Sequence, residues 1–132
     1  MSLICFDLDK FKACNDRLGH LEGDNVLRRV GNLLNVITRS TDKAFRYGGD
    51  EFFVLLPETN LDQAMITAEK IRKMFNESWP YETRRSGMLC QVTLSMGVIQ
   101  RKEETSGVAL MKRADIAMYT AKDQGGNRIV AG

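Results

Sequence analysis

Residues 43–57 read KAFRYGGDEFFVLLP, and this stretch decides the fold. Two strand-like runs, residues 43–47 and 51–56, flank the tripeptide Gly48-Gly49-Asp50. Two such runs around a Gly-Gly pair predict a β-hairpin, and Pro57 ends its second strand. The hairpin tip therefore presents two acids, Asp50 and Glu51.

A second pair of acids follows the apolar run LICF at residues 3–6, which is typical of a buried strand and ends in Asp7-Leu8-Asp9. Acids at a strand end and at a tight turn are costly unless they are solvated or paired with cations. Brought together, Asp7, Asp50 and Glu51 would form the oxygen-only site that Mg²⁺ prefers. The glycines at the tip would let a bulky ligand approach the backbone.

Each half of this pattern has another interpretation. Asp7 and Asp9 are as typical of a solvated strand end, and the Gly-Gly-Asp-Glu tip alone is compatible with a simple turn. An Asp-x-Asp sequence after a strand also opens haloacid-dehalogenase-like phosphatases, in which the first Asp is a nucleophile. That motif continues with a Gly and a small Thr or Val, whereas Lys10-Phe11-Lys12 follows here, so the phosphatase is disfavoured.

The rest of the chain alternates between helical and strand patterns. Helices are predicted at residues 11–18, from an N-cap at Gly23-Asp24 through Ile37, after the cap Asn60, and at residues 108–122 before Gly125-Gly126. Residues 76–88 are predicted as loop, residues from Cys90 to Val98 as an alternating strand and residues 128–130 as a last strand. We therefore expect one α/β domain over residues 1–132, a two-layer α+β sandwich with a mixed central sheet and flanking helices.

Composition narrows the class of protein. The chain has 132 residues, 43% hydrophobic and 27% charged, which suits one soluble domain. A net charge of +2 is too small to indicate nucleic-acid binding. No apolar run reaches the roughly 20 residues of a membrane helix, and no signal peptide is evident, so a cytoplasmic location is expected. Three scattered cysteines (Cys5, Cys14, Cys90) favour core packing in a reducing compartment over disulfides or zinc.

Four blocks of sequence together resemble the GGDEF domain family of diguanylate cyclases. The hairpin carries the signature as Arg46-Tyr47-Gly48-Gly49-Asp50-Glu51-Phe52. The first block is DLDKFK at residues 7–12 with Asn15-Asp16, Gly19-His20 and Gly23-Asp24. The third has Thr93, Ser95, Gly97 and Val98, and the last has Ala114-Asp115, Ala117, Tyr119, Ala121-Lys122, Gly125 and Asn127. The blocks occur in the family's order and span nearly the whole chain.

The resemblance implies a fold like the palm of adenylyl cyclases and polymerases, and the condensation of two GTP into cyclic di-GMP across a homodimer. Asp7, Asp50 and the Leu8 carbonyl would ligate Mg²⁺, with Mn²⁺ left open, and Glu51 would support the metal site. Asp50 would also take the proton from the attacking 3′-hydroxyl. Paired metals suit this chemistry, since they activate the attacking oxygen and neutralise the triphosphate.

The resemblance also implies substrate contacts. Asn15 and Asp24 match the guanine contacts, and His20 matches another substrate position. The phosphates would lie on the backbone at residues 10–12, including Lys12, beside Gly48 and Gly49, and on Lys122. Alternatives stay open: Asp24 as helix N-cap, His20 as a residue that orders its turn, and Lys122 as a surface lysine.

A third implied site is regulatory. Arg39 and Asp42 match the family's inhibitory Arg-x-x-Asp motif, and Lys70 lies where a second basic contact is often found. Cyclic di-GMP bound there would slow turnover, because an Arg fork suits phosphate or guanine and Asp accepts from the guanine edge. The alternative is a helix-ending Arg with a turn Asp.

Two departures from the family pattern bear on activity. The arginine that commonly follows Gly125 is replaced by Gly126, with Arg128 two residues further on. The family's preceding helix, its Asp-x-Leu-Thr-Gly-Leu segment and any sensor domain are absent, so this chain is expected to be mostly monomeric with low activity. The alternative function is a GTP or cyclic di-GMP sensor. A purely structural domain would give no reason for intact acids and glycines at both turns.

Overall fold

The structure is a computed structural model that describes residues 1–78, 92–104 and 106–132. The described strands are β1 (Ser2–Asp9), β2 (Lys43–Gly48), β3 (Glu51–Leu56), β4 (Thr93–Gln100) and β5 (Arg128–Ala131). The described helices are α1 (Phe11–Leu18), α2 (His20–Ile37), α3 (Leu61–Glu77) and α4 (Gly107–Asp123). Among these helices none has both the length and the apolar character required to cross a membrane.

The strands form one mixed sheet in the order β2-β3-β1-β4-β5. β1 lies at its centre and pairs antiparallel with both β3 and β4, whereas β5 is parallel to β4. The predicted hairpin is β2–β3, also antiparallel, with an irregularity in register between Arg46 and Gly48. The mixed central sheet with flanking helices is therefore confirmed.

Helices cover both faces of the sheet. On one face, alternate residues of β1 pack with α2 and α3 in the larger core: Ile4, Phe6, Leu8, Val26, Val30, Leu34, Ala64, Ala68, Ile71 and Phe75. On the other face, Leu3, Cys5 and Phe53 pack against Leu110, Ala114 and Met118 of α4. The structure therefore has three layers, helix–sheet–helix, where the sequence predicted two. The third layer accounts for the continuous apolar run in β1, since a strand covered on both faces is apolar throughout.

The largest correction concerns α2, which begins at His20 and not at the predicted Gly23-Asp24 cap. Gly19, with φ of 90°, ends α1 and directly precedes α2. Gly23 is consequently buried inside a helix, and Asp24 lies in the second turn, where it caps nothing. The predicted N-cap role of Asp24 is therefore wrong.

The other predicted helix boundaries differ less from the structure. The predicted cap Asn60 is confirmed, and it forms a capping box with Gln63. α3 continues through Glu77, so the first two residues of the predicted loop are helical, because Phe75 keeps the buried face in register. Ser78 follows as the C-cap of α3, and residues 79–88 of that loop, together with Cys90, lie outside the described residues.

Candidate active site

The pairing of β1 with β3 brings the two acidic stretches together. Asp7 stands opposite Glu51 in the register, and the Leu8 N–H donates to the Asp50 carbonyl oxygen at 3.3 Å. Since β1 is the central strand, the strand end that carries Asp7 and Leu8 meets the hairpin tip by backbone pairing alone. The sheet thus gathers the predicted residues Asp7, Leu8, Asp50 and Glu51 at one place.

Asp7 is the most perturbed of these acids. Its Oδ2 atom lies 3.0 Å from Nζ of Lys122, and its Oδ1 atom is buried without a hydrogen-bond partner among the described residues. Burial, followed by the nearby Asp50 carboxyl group, raises the pKa of Asp7 to about 7, although Lys122 acts in the opposite direction. The carboxylate is therefore held in a place that favours an additional positive charge.

Lys122 reaches Asp7 and Asp50 from the last turn of α4. Burial lowers the pKa of Lys122, but its hydrogen bond to Asp7 and the attraction of Asp7, Asp9 and Asp50 leave that pKa raised overall. Its ammonium group is consequently a stable positive charge inside the acidic site.

Asp9 has a different role from Asp7, although both point to the same side of the strand. Its carboxylate accepts hydrogen bonds from Thr93 Oγ1 at 2.7 Å, Ser95 Oγ at 2.6 Å and the Asn127 backbone N–H at 3.0 Å. These bonds tie β1 to β4 and to the turn before β5. Asp9 thus joins three parts of the fold and is not the solvated strand end that the sequence also allowed.

Glu51 faces a second polar group that the sequence interpretation missed. The Cys5 thiol donates to Glu51 Oε1 at 3.6 Å and also lies 4.0 Å from Asp115 Oδ1. Burial, and next the charge of Asp115, raise the pKa of Glu51. Alternation along β1 places Cys5 on the same side as Asp7, which was an available signal, but Asp115 reaches the site only through the packing of α4.

The donor set fits a hard divalent cation. It consists of carboxylates and a nearby main-chain carbonyl. One carboxylate oxygen is buried without a partner among the described residues, and burial, followed by neighbouring acids, raises the pKa values of Asp7 and Glu51. Mg²⁺ and Mn²⁺ both favour such oxygen ligands.

The predicted guanine contacts lie at the corner between α1 and α2. Asn15 Nδ2 lies 3.3 Å from His20 Nδ1, whereas Asn15 Oδ1 is buried and has no partner in the described part of the chain. Asp24 is exposed on the next turn of α2. The corner thus presents one amide and one carboxylate from adjoining helices.

The predicted phosphate positions are open. α1 begins after Lys10, whose φ of 61° is left-handed, and no side chain caps its first turn, so the N–H groups near Lys12 are available to an anion. At Gly48 and Gly49 an added β-carbon would meet nothing within 4 Å. Ligand phosphates therefore have free access to both turns.

Gly126 lies directly over the Asp9 carboxylate. Its φ is 77°, and an added β-carbon would come 3.0 Å from Asp9 Oδ2. Arg128 folds back so that its Nε donates to the Gly126 carbonyl at 3.1 Å. This turn therefore packs on the Asp9 carboxylate and presents no arginine side chain at residue 126.

The predicted regulatory residues Arg39 and Asp42 form a pair. The buried Asp42 carboxylate accepts from the Arg39 backbone N–H at 2.8 Å and from its guanidinium at 3.2 Å, while the same guanidinium donates to Thr59 Oγ1 at 2.9 Å. They line a groove of about 240 Å³ with Ile37, Leu56, Glu58, Gln63 and Thr67. Lys70 is exposed one turn beyond Thr67 on α3 and does not line this groove.

Solved structures resemble this fold closely. The GGDEF domain of DgcB from Caulobacter crescentus in complex with c-di-GMP has a TM-score of 0.89 and 35% identity, covering 98% of this chain and 76% of that one. The active GGEEF domain of a diguanylate cyclase from Vibrio cholerae has a TM-score of 0.88 and 32% identity, covering 98% of this chain and 81% of that one.

Curated relatives give the same picture. The chain is 40% identical over 131 residues to diguanylate cyclase VdcA of Vibrio cholerae and 39% identical over 130 residues to diguanylate cyclase A of Treponema denticola. Each match includes 98% of this chain, but the chain spans only 38% and 34% of the length of those two proteins. The family model for the GGDEF domain of diguanylate cyclases matches residues 1–128. The chain, with its Gly-Gly-Asp-Glu hairpin beside Asp7, therefore belongs to the GGDEF domain family.

Proposed function

We propose that this domain condenses two GTP molecules into cyclic di-GMP, with release of two pyrophosphates. The convergence of Asp7, Asp50 and Glu51 around a buried, unpartnered carboxylate oxygen is the observation that carries the proposal. The names of the curated relatives support the same reaction.

In each half of the reaction a 3′-oxygen attacks the α-phosphorus of the other GTP. The new P–O bond forms as the bond to pyrophosphate breaks, and Asp50 accepts the proton of the attacking hydroxyl. Mg²⁺ or Mn²⁺ held by Asp7, Asp50, Glu51 and the Leu8 carbonyl would supply charge neutralisation and lower the pKa of the attacking hydroxyl. Lys122 and the N–H groups at the start of α1 would hold the phosphates.

The reaction requires two domains. The described residues form one such acidic site per chain, so we infer that two copies face each other across a twofold axis and present their GTP molecules head to tail. A dimer formed only transiently would turn over slowly. Forced dimerisation is therefore expected to raise the rate per chain.

The corner between α1 and α2, with Asn15 and Asp24, suits guanine. The Asp24 carboxylate can accept from the N1–H and N2–H₂ edge of guanine, which adenine lacks, while Asn15 offers an amide beside it. A site that relies on hydrogen bonds to the base rejects an analogue lacking them strongly.

The experiment is incubation of the chain with GTP and Mg²⁺, in single and artificially dimerised forms, with cyclic di-GMP measured by chromatography. Asp50→Asn should reduce formation of the product by about 10²–10⁴-fold, the usual contribution of a general base. Asp62→Asn is the matched control, because Asp62 is an exposed acid in the first turn of α3, away from the site. An Asp50→Asn chain as active as the parent would refute the proposed role.

A GTP-binding or cyclic di-GMP-binding sensor is the second candidate. Gly126 favours it, because this residue supplies no phosphate-binding side chain and Arg128 is directed back to the turn. A dimerised chain that binds nucleotide but forms no product would select the sensor.

We also propose that cyclic di-GMP binds at Arg39 and Asp42 and slows turnover, with Lys70 as an outlying basic contact. The pair is already in place, so the ligand would find an ordered guanidinium, but it would have to share the Asp42 oxygens with Arg39. This ordered arrangement supports specific binding, because less side-chain freedom is lost on association.

A further inference from the structure

Gly23 is a buried glycine inside α2, at a helical position where most residues would be favoured over it. A β-carbon at this position would lie 2.1 Å from Asn15 Oδ1 and 2.9 Å from Asn15 Cγ. Both distances are far below any tolerated contact, so a side chain at residue 23 and the present Asn15 conformation exclude each other.

The Asn15 carboxamide is the flexible end of its side chain, so it is the group that a side chain at residue 23 would displace. Its carboxamide is held between Gly23 and the His20 ring, with Nδ2 at 3.3 Å from His20 Nδ1. Its own backbone carbonyl accepts the Gly19 N–H at 2.8 Å, which ties the residue to the junction of the two helices. The Phe11 ring lies 3.5 Å from the same added β-carbon, which is an ordinary van der Waals contact, so the conflict is with Asn15.

We propose that Gly23 is a positioning residue for base recognition. Its missing side chain leaves the space that Asn15 Oδ1 occupies against α2, next in sequence to Asp24, and so fixes where the amide would meet the base. Any side chain at residue 23 turns this amide away, whichever of its two polar atoms faces the helix. This inference rests on the proposed function, since it assigns Gly23 a part in selecting guanine.

The test compares Gly23→Ala with Gly31→Ala. Both glycines lie within α2, so both substitutions bring the same gain in helix propensity, but an added β-carbon at Gly31 meets nothing within 4 Å. The ligands are 3′-deoxy-GTP and 3′-deoxy-ATP with Mg²⁺, which cannot condense because they lack the attacking hydroxyl. Calorimetry gives the dissociation constant of each.

Gly23→Ala should weaken binding of 3′-deoxy-GTP at least about tenfold, roughly the loss of one well-placed hydrogen bond. Binding of 3′-deoxy-ATP should stay unchanged, so the preference for guanine falls by the same factor, and Gly31→Ala should keep the parental preference. In an Asn15→Ala background, Gly23→Ala should have no further effect on either ligand, because the group that it displaces is gone.

Urea unfolding provides a readout that does not depend on nucleotide. Gly31→Ala should raise the unfolding midpoint or leave it unchanged, and the midpoint of Gly23→Ala should lie below that of Gly31→Ala, because the Asn15 amide loses its place. In the Asn15→Ala background, Gly23→Ala should behave as Gly31→Ala does. If Gly23→Ala does not fold, recovery of folding in the double variant supports the contact, and failure of the double variant to fold overturns it.

The outcomes separate the two proposals. A parent chain that binds neither nucleotide refutes the proposed function and with it this inference. A parent that prefers 3′-deoxy-GTP, together with a folded Gly23→Ala variant that keeps the same preference, overturns the positioning role alone.

Discussion

Nζ of Lys122 lies 3.0 Å from Oδ2 of Asp7, so the lysine expected to hold phosphate is ion-paired with an acid expected to hold metal. The ammonium group thus neutralises the acid when no divalent cation does so. Binding of the cation would free Lys122 for the triphosphate, which couples the two ligands through one side chain.

Lys122→Met should raise the KM for GTP by roughly 10–100-fold, the loss of a charge-assisted hydrogen bond. Lys122→Arg should retain much of the affinity because the charge remains. Lys112→Met, on the same helix but exposed, is the control for a general loss of positive charge. A KM unchanged in Lys122→Met would show that this lysine is only a surface residue.

The stability of the metal-free chain should depend on pH through Asp7. Its pKa is about 7 in the folded chain against 3.8 ordinarily, so the folded state retains a proton that the unfolded chain releases in this range. The stabilisation is complete below about pH 4 and is lost as the pH rises through 7. The free energy of unfolding from urea titrations should therefore fall between about pH 4 and 7 and level off above that range.

Asp7→Asn should remove this part of the pH dependence, and the exposed Asp62→Asn should preserve it. Saturating Mg²⁺ should also flatten the slope in the parent, because the cation binds the ionised carboxylate. Equal slopes in the parent and Asp7→Asn would contradict the raised pKa.

Asp9→Ala should destabilise the domain by about 2–5 kcal/mol, since three hydrogen bonds to a charged acceptor disappear at once. Asp7→Asn should cost far less stability in the absence of metal but should abolish metal-dependent activity. Chemical denaturation and activity measured on both variants test this division of labour. Two variants with the same profile would rule it out.

Gly97→Ala should destabilise the domain by about 1–3 kcal/mol or more. An added β-carbon would stand 2.3 Å from the Met118 backbone nitrogen and 2.4 Å from the Ala114 oxygen, so α4 would have to shift. Gly107→Ala, in open space at the start of the same helix, should be nearly neutral in urea unfolding. Equal midpoints for the two variants would disprove the close approach.

Arg39→Ala should raise the concentration of cyclic di-GMP that halves the rate by at least about tenfold, because it removes the guanidinium from the groove. Arg101→Ala, an exposed arginine outside the groove, serves as control in the same inhibition assay. Product sensitivity that survives Arg39→Ala would disprove the site.

The acidic site was predictable because it depends on local patterns. A strand ending in acids and a Gly-Gly hairpin ending in acids need only one antiparallel pairing to bring Asp7 and Glu51 together. The roles of Asp7 and Asp9 were not separable in this way. Both point to the same side of β1, and only the hydroxyls of Thr93 and Ser95, from a strand remote in sequence, decide between them.

The start of α2 was mispredicted for a related reason. A glycine followed by an aspartate indicates a helix cap when only neighbours in sequence are considered. Gly23 is tolerated inside the helix because Asn15 of α1 occupies the space of its side chain. Likewise Asp115 lies near Glu51 only because α4 packs on the sheet, and no local sequence pattern predicts that packing.

The central position of β1 in the sheet has a consequence for the order in which the domain folds. Its backbone pairs with β3 and with β4, where Ser2 faces Gln100, so β1 pairs fully only with a partner that is synthesised much later. Such distant pairings slow folding, because loop closure precedes the gain from contact. Asp7 is surrounded by its partners only after Lys122 has been synthesised, so the acidic site is completed only once α4 is available to pack on the sheet.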